Sequence, residues 1–317
     1  MSQRILEPGQ IETLAQRSIP RIRLPARESL FVQRAARLRA LAPTSRIADY
    51  LHLCAAIADA QHAALAGCAP TMPSAAELAA AREHRMPPIP ATDWPRKPPW
   101  RNALETICTA VAAQPGFPPE VARLAERVAA AAAAQLEAQA DVLLGTREGA
   151  VDAAAAPLLV AALQVHGVAA SSRLAAGEVA PLDVPGVCPL CGSLPVASVV
   201  RAQAQYQGYR YLHCALCACE WHLVRVQCSQ CGASGKDIAY RSLSGEDDAD
   251  DAPADAALRA ETCDACHRYR KILYQEKDTA IEPVADDLAS LALDLLLADA
   301  GYARASGNPL LWAADEA

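Results

Sequence analysis

Aromatic residues make up only 4% of this 317-residue chain, with two phenylalanines, while alanine is abundant. Large β-sandwiches need bulky side chains between their sheets, so this scarcity favours close-packed helices, alanine being the strongest helix former. An excess of positive charge is also lacking. The formal net charge is −7 and the pI about 5.5, so the molecule as a whole is no natural phosphate binder. No apolar run follows the early arginine of MSQRILEPGQIETL, and a secretory signal requires one. The stretch Ala153 to Ser172 carries no charge and is long enough to span a bilayer. It is mostly alanine, however, and is interrupted by Pro157, Gln164, His166 and Gly167, so it reads as a buried bundle helix. The expectation is a soluble, cytoplasmic protein with no membrane insertion and length enough for two or three domains. No Ser/His/Asp set, carboxylate pair or glycine-rich phosphate loop stands out, so the chain does not read as an enzyme.

Cysteine is plentiful. Twelve cysteines in a compartment that keeps thiols reduced need a reason other than disulfides. Cys54, Cys68 and Cys108 are scattered and have no ligand spacing, as expected of packed thiols. The other nine lie between Cys188 and Cys266, and eight of them form four C-x-x-C pairs.

From about Arg27 to Gly177 the pattern is helical and broken by proline. Ile47, Leu51, Cys54, Ala58 and Leu65 fall on one stripe, and Leu104, Ile107 and Val111 on another. Ser74 and Glu77 have capping-box spacing. Pro118 and Pro119 open a long alanine-rich segment running through Val121, Leu124, Val128 and Leu136. Six prolines between Met86 and Trp100 make an extended connector. His52, His62 and His166 occur singly, and Arg34, Arg37 and Arg39 read as a solvated helix face. The reading is a bundle of five or six helices with no legible chemistry.

Composition changes at Pro185-Gly186. Cys188-Pro-Leu-Cys191-Gly192 is a metal knuckle, in which two thiolates grip one ion from a tight turn and the glycine eases a left-handed backbone. Strand-like residues and a turn at Gly208 lead to Cys214-Ala-Leu-Cys217, the spacing of a zinc ribbon or rubredoxin-like module. The pattern repeats: a strand from Trp221 to Val226, Cys228-Ser-Gln-Cys231-Gly232, a strand from Ile238 to Leu243, an acidic loop from Gly245 to Asp255, and Cys263-Asp-Ala-Cys266. A sequential assignment gives Cys188, Cys191, Cys214 and Cys217 to one ion and Cys228, Cys231, Cys263 and Cys266 to another. A cross-braced assignment, first knuckle with third and second with fourth, stays open. Tetrahedral sulfur suits zinc and iron alike, and on spacing alone zinc leads. Cys219 reads as a spare packed thiol, with substitute ligand or redox partner as alternatives. Cys263-Asp-Ala-Cys266-His267 also fits haem attachment, a chemistry foreign to the cytoplasm.

The fold expected is α+β and multidomain. A helical domain spans 1–182, a first four-cysteine rubredoxin- or zinc-ribbon-like β module 183–226, and a second such module 227–317, ending in a helix at about 282–301. In that helix Val284, Leu288, Leu291 and Leu295 form the expected buried stripe, with Asp286 and Asp287 in the first turn.

These residues resemble the FdhE family of formate dehydrogenase accessory proteins. The resemblance rests on Cys188-Pro-Leu-Cys191-Gly192-Ser-Leu-Pro195 and on Tyr211-Leu-His-Cys214-Ala-Leu-Cys217-Ala-Cys219-Glu220-Trp221-His222. It continues through Arg225, Cys228 and Cys231, then Lys271 to Asp278 and Glu282 to Ser290. It implies a cytoplasmic, non-enzymatic accessory protein that binds the catalytic subunit of a respiratory formate dehydrogenase and is needed for its maturation before export. It also implies iron in rubredoxin-like sites, which moves the metal choice to iron with zinc second. Cys219 and His267 lie outside the family pattern. Glu220, Trp221 and His222, together with Asp286 and Asp287, are the candidates for partner contact, against packing and helix capping as their ordinary roles.

Two other functions compete. A zinc-ribbon nucleic-acid binder would use the formal +3 of residues 188–245 (Arg201, Arg210, Arg225, Lys236 and Arg241 against Glu220 and Asp237) beside Tyr206, Tyr209 and Tyr211, but the acidic loop that follows repels phosphate. A redox or electron-transfer protein would use rubredoxin-type iron.

Overall fold

A computed structural model describes residues 19–96, 98–243 and 256–312; the acidic loop Gly245–Asp255 and the first eighteen residues lie outside them. The architecture is α+β. Among the described residues seven helices come first: α1 (Leu30–Leu41), α2 (Ala48–Gly67), α3 (Ala75–Glu83), α4 (Pro99–Ala112), α5 (Pro119–Ala129), α6 (Ala133–Leu143) and α7 (Ala156–Ser171). The alanine-rich segment after Pro119 is two helices, because the backbone turns extended at Ala132, and this raises the count above the expected five or six. Ser74 and Glu77 make both halves of the capping box. Leu51, Cys54, Ala58 and Leu65 of α2 and Leu104, Ile107 and Val111 of α4 are all buried.

Helix α7 is apolar all round and buried almost throughout, as a helix with no polar face must be. It packs against α2, α4 and α6 at the centre of the main core. Among the described residues no helix is long and apolar enough to cross a membrane.

The β-rich part is a single sheet, built from β1 (Ile22–Arg23), β2 (Pro195–Val200), β3 (Arg210–Cys214), β4 (Glu220–His222), β5 (Ile238–Arg241), β6 (Leu258–Cys263), β7 (Arg268–Tyr274) and β8 (Ala303–Arg304). The strand order is β1-β4-β3-β2-β7-β6-β5, with β8 on the other half of β7's edge. Hairpins β2-β3 and β6-β7 are antiparallel, and β2 joins β7 in parallel through Ser198↔Ile272 to Val200↔Tyr274. One sheet therefore runs through both cysteine modules. The buried Arg210 of β3 reinforces the joint by bonding Ser198 Oγ and pairing with Glu261 of β6 at 2.8 Å. The expected strand from Trp221 to Val226 is shorter, three residues ending at His222.

The C-terminal helix is two helices, α8 (Pro283–Ala289) and α9 (Leu291–Asp299). The break at Ser290 resets the stripe. Val284 and Leu288 are buried as expected, but Leu293 and Leu297 replace Leu291 and Leu295, and Leu295 is 69% exposed. Ser290 Oγ donates to the carbonyls of Asp286 and Asp287, and the buried Lys271 ammonium takes those of Asp287 and Ser290. With the last carbonyls satisfied in this way, the helix need not continue.

Candidate metal centres

Each knuckle is a tight turn whose geometry is local. Gly192 N–H donates to Cys188 O at 2.8 Å, and Gly232 N–H to Cys228 O at 3.1 Å. The residue after the second cysteine is left-handed in all four knuckles: Gly192 (φ 77°), Ala218 (55°), Gly232 (80°) and His267 (51°). This conformation turns the chain so that both sulfurs face one point. Backbone N–H groups aim at the sulfurs, with Leu216 and Cys217 donating to Cys214 Sγ and Gln230 to Cys228 Sγ, each at 3.4 Å.

The hairpins bring the knuckles together in sequence order. Sulfurs of Cys188, Cys191, Cys214 and Cys217 lie within 4.8 Å of one another, as do those of Cys228, Cys231, Cys263 and Cys266. Cys188–Cys217 and Cys191–Cys214 are 3.6 and 3.5 Å apart, and Cys228–Cys266 and Cys231–Cys263 are 3.7 and 3.6 Å apart. A tetrahedral ion with metal–sulfur bonds of about 2.3 Å needs edges of about 3.8 Å, so both cages fit zinc or ferrous/ferric iron. Burial pushes the Cys188, Cys214 and Cys217 thiols well up. Four ionised sulfurs in such an enclosure call for a cation. Cys219 is buried outside both cages, its sulfur 3.8 Å from Glu220 O.

The cages differ in setting. All four cysteines of the first are at most 4% exposed, whereas in the second Cys231 is exposed and Cys266 half-buried. The helical domain closes the first cage. Gln164 Nε2 donates to Ala215 O at 2.6 Å and Ser171 Oγ to Cys217 O at 3.0 Å, while Gly167 lets α7 approach Leu216 and Cys217. The proline-rich connector contributes too, with Ile89 and Ala91 N–H groups bonding Leu190 O and Cys191 O.

Glu220, Trp221, His222, Asp286 and Asp287 all have partners within the chain. Glu220 is fully buried and accepts from Arg23, Arg201 and His213. Burial pushes its carboxyl up, but Arg201, Arg23 and His213 outweigh this and hold it well below the usual carboxylate range. Trp221 lies in one buried apolar cluster with Ile22, Val179 and Leu190, its indole N–H donating to Pro185 O at 2.7 Å. The module thus has the interior that its size alone would deny it, supplied by β1 and the connector. His222 is half-buried edge-on to Tyr209 and Tyr211, and burial with Arg21 and Arg210 nearby lowers it to about 4. Asp286 takes Arg37, and Asp287 takes Asn308 and Arg304. Arg34, Arg37 and Arg39, expected as a solvated face, pair with Glu282, Asp286 and Asp59 respectively. Arg201 and Arg210, the core of the basic footprint, point inwards. His166 is also inside, brought to about 4 by burial and by Arg96, while His52 and His62 are exposed.

A helical scaffold clamped onto one of two four-cysteine cages in a shared sheet defines a protein with two tetrathiolate metal sites. Residues 19–183 match "FdhE, N-terminal", 187–225 "FdhE, central domain" and 226–311 "FdhE, C-terminal domain". The chain belongs to the FdhE family, the formate dehydrogenase accessory proteins. It is 39% identical to the "Protein FdhE homolog" of Cronobacter sakazakii and 37% identical to the "Protein FdhE" of Escherichia coli K12, each over 98% of both chains. It is similar to the crystal structure of the FdhE protein from Pseudomonas aeruginosa, with a TM-score of 0.79 and 38% identity over 92% of this chain and 99% of that one.

Proposed function

We propose that this chain binds the catalytic subunit of a respiratory formate dehydrogenase in the cytoplasm and is needed for its maturation before export, acting as a platform without catalysis of its own. The observation that carries the reading is the rigid coupling of two tetrathiolate cages through β2 and β7, with the first clamped by α7. A shared sheet holds two knuckle surfaces in fixed relation, which suits recognition of one large client. Iron is the metal proposed, by family membership, and zinc would serve the same scaffold. Glu220, Trp221, His222, Asp286 and Asp287 would act on the client by holding this platform in shape. The divisions 1–182, 183–226 and 227–317 are the proposed units. The test combines deletion of the gene with a pull-down on tagged catalytic subunit from a strain that keeps it: loss of formate-dependent dye reduction in the first and recovery of this chain on the bait from the second are expected. Full activity in the deletion strain, with no recovery, would overturn the reading.

A one-electron role at the second cage is the second reading, favoured by the exposed Cys231. Absorption of anaerobically purified protein decides it: thiolate-to-iron bands that bleach on reduction support it, and a featureless zinc protein excludes it.

A further inference from the structure

A groove of about 580 Å3 lies between α1 and the sheet, separate from both cysteine cages. One wall is the α1 stripe Leu30, Gln33, Ala36 and Ala40; the other includes Gln275 and Ile281. Ten residues of helix make the stripe about 15 Å long, the span of four to five residues of extended chain at about 3.3 Å each. The alanines keep the walls low, and the glutamine amides offer donors and acceptors along the way.

One end of the groove has capacity to spare. Arg23 and Arg201 both face Glu220, two guanidinium groups on one carboxylate, leaving one positive charge in surplus. Arg23 is the partly exposed member, with 25% of its side chain open, and spends one nitrogen on Glu220. His213 is 2% exposed, lines the groove, and gives Nδ1 to Glu220 at 2.8 Å, while its Nε2 has no partner among the described residues. Nε2 is thus a buried ring nitrogen whose hydrogen-bonding capacity is unused. A buried polar atom left unpaired is costly, which points to a hydrogen-bond partner supplied from outside. At the other end Arg34 pairs with Glu282, while Arg37 faces two carboxylates, Asp286 and Asp278, so that end carries one negative charge in surplus and a carboxylate brought into the groove belongs at Arg23.

We propose that this groove binds an extended polypeptide segment of the client that carries an Asp or Glu, with its carboxylate on Arg23 and a polar group of the segment hydrogen-bonded to His213 Nε2. The inference rests on the accessory role proposed above. His213 and Ala218 both line the groove and adjoin metal ligands, Cys214 and Cys217, so an occupied groove abuts the first cage.

The test uses full-length, metal-loaded protein and fluorescent overlapping peptides tiling a formate dehydrogenase catalytic subunit, read by anisotropy. Ala36 is exposed, so Ala36→Trp fills the groove without entering the core, and Arg23→Gln removes the surplus charge. An Asp- or Glu-bearing peptide should bind the wild type and lose about tenfold in affinity in each variant, with metal content unchanged. Absence of any binding peptide, binding that survives both substitutions, or full displacement by acetate or phosphate overturns the proposal. Capture of the intact catalytic subunit separates the two readings. Equal capture by wild type and Ala36→Trp removes the groove and leaves the accessory role, whereas no capture by wild type removes both.

Discussion

Arg34 of α1 and Glu282, the cap of α8, form a buried ion pair at 2.9 Å that ties the first helix to the last part of the chain. Glu282 is used twice. One carboxylate oxygen takes the guanidinium, and the other accepts Val284 and Ala285 N–H at 3.0 and 2.8 Å, closing the start of α8. Breaking such a pair leaves a buried charge uncompensated, at a cost of about 3 kcal/mol, more than a surface bridge contributes. Glu282→Gln keeps the cap acceptor and loses the charge, so the cost should appear with α8 intact. Arg34→Met with Glu282→Gln should cost less than the two single changes summed, a coupling of about 2 kcal/mol in a denaturation cycle. Strict additivity would show the pair to be idle.

The unequal burial of the cages predicts unequal metal release. A chelator, oxidant or competing thiol can reach Cys231, while the sulfurs of the first cage lie beneath α7 and the connector. Protein loaded with two zinc ions should release them to a chromogenic chelator in two phases of equal amplitude, at least about tenfold apart in rate. Cys231→Ser should abolish the fast phase and keep the slow one. Release in a single phase would mean that exposure does not govern access.

What was legible in the sequence was local. C-x-x-C spacing fixes a turn, so the four knuckles were readable locally, and sequence order favoured the sequential quartets while the cross-braced pairing stayed open until the sheet placed the knuckles. The stripes of α2 and α4 are local for the same reason. Features set by distant partners were hidden. Nothing near Ser290 shows that Lys271 will take its carbonyl and end α8, so periodicity alone carries the stripe on to Leu291 and Leu295. Arg201 and Arg210 looked like a surface footprint because Glu220 and Glu261 reach them only across the sheet. The interruptions in Ala153 to Ser172 were visible, and beyond excluding a membrane span they had a positive meaning. Gln164 and Gly167 are where α7 meets the second knuckle.

The knuckle backbones allow conformation to be separated from packing. A Cβ added at Gly232 would meet nothing within 4 Å, so Gly232→Ala tests the left-handed backbone alone. It should destabilise the metal-loaded protein by about 1 kcal/mol. His267, exposed at the equivalent place in the fourth knuckle, already bears that strain. His267→Gly should therefore gain up to about 1 kcal/mol, less the entropy glycine loses on folding. Opposite signs in thermal melts are expected. A loss in both variants would assign His267 a contact that outweighs its backbone.

Gly167 sets two effects against each other. Within a helix, alanine is better than glycine by about 1 kcal/mol, so Gly167→Ala considered on α7 alone should stabilise. The added Cβ would instead sit 3.3 Å from Leu216 O and 3.4 Å from Cys217 Cα and Cβ, tighter than ordinary contact and against backbone that cannot rotate away. Overpacking of this kind costs about 1–3 kcal/mol, so the net effect should be a loss. Its location is the sharper prediction. The strain falls on the knuckle that carries Cys214 and Cys217, so the slow phase of metal release should accelerate while the fast phase keeps its rate. If Gly167→Ala raises the melting temperature and leaves both phases alone, α7 does not clamp the first cage, and the glycine is only a weak point in the helix.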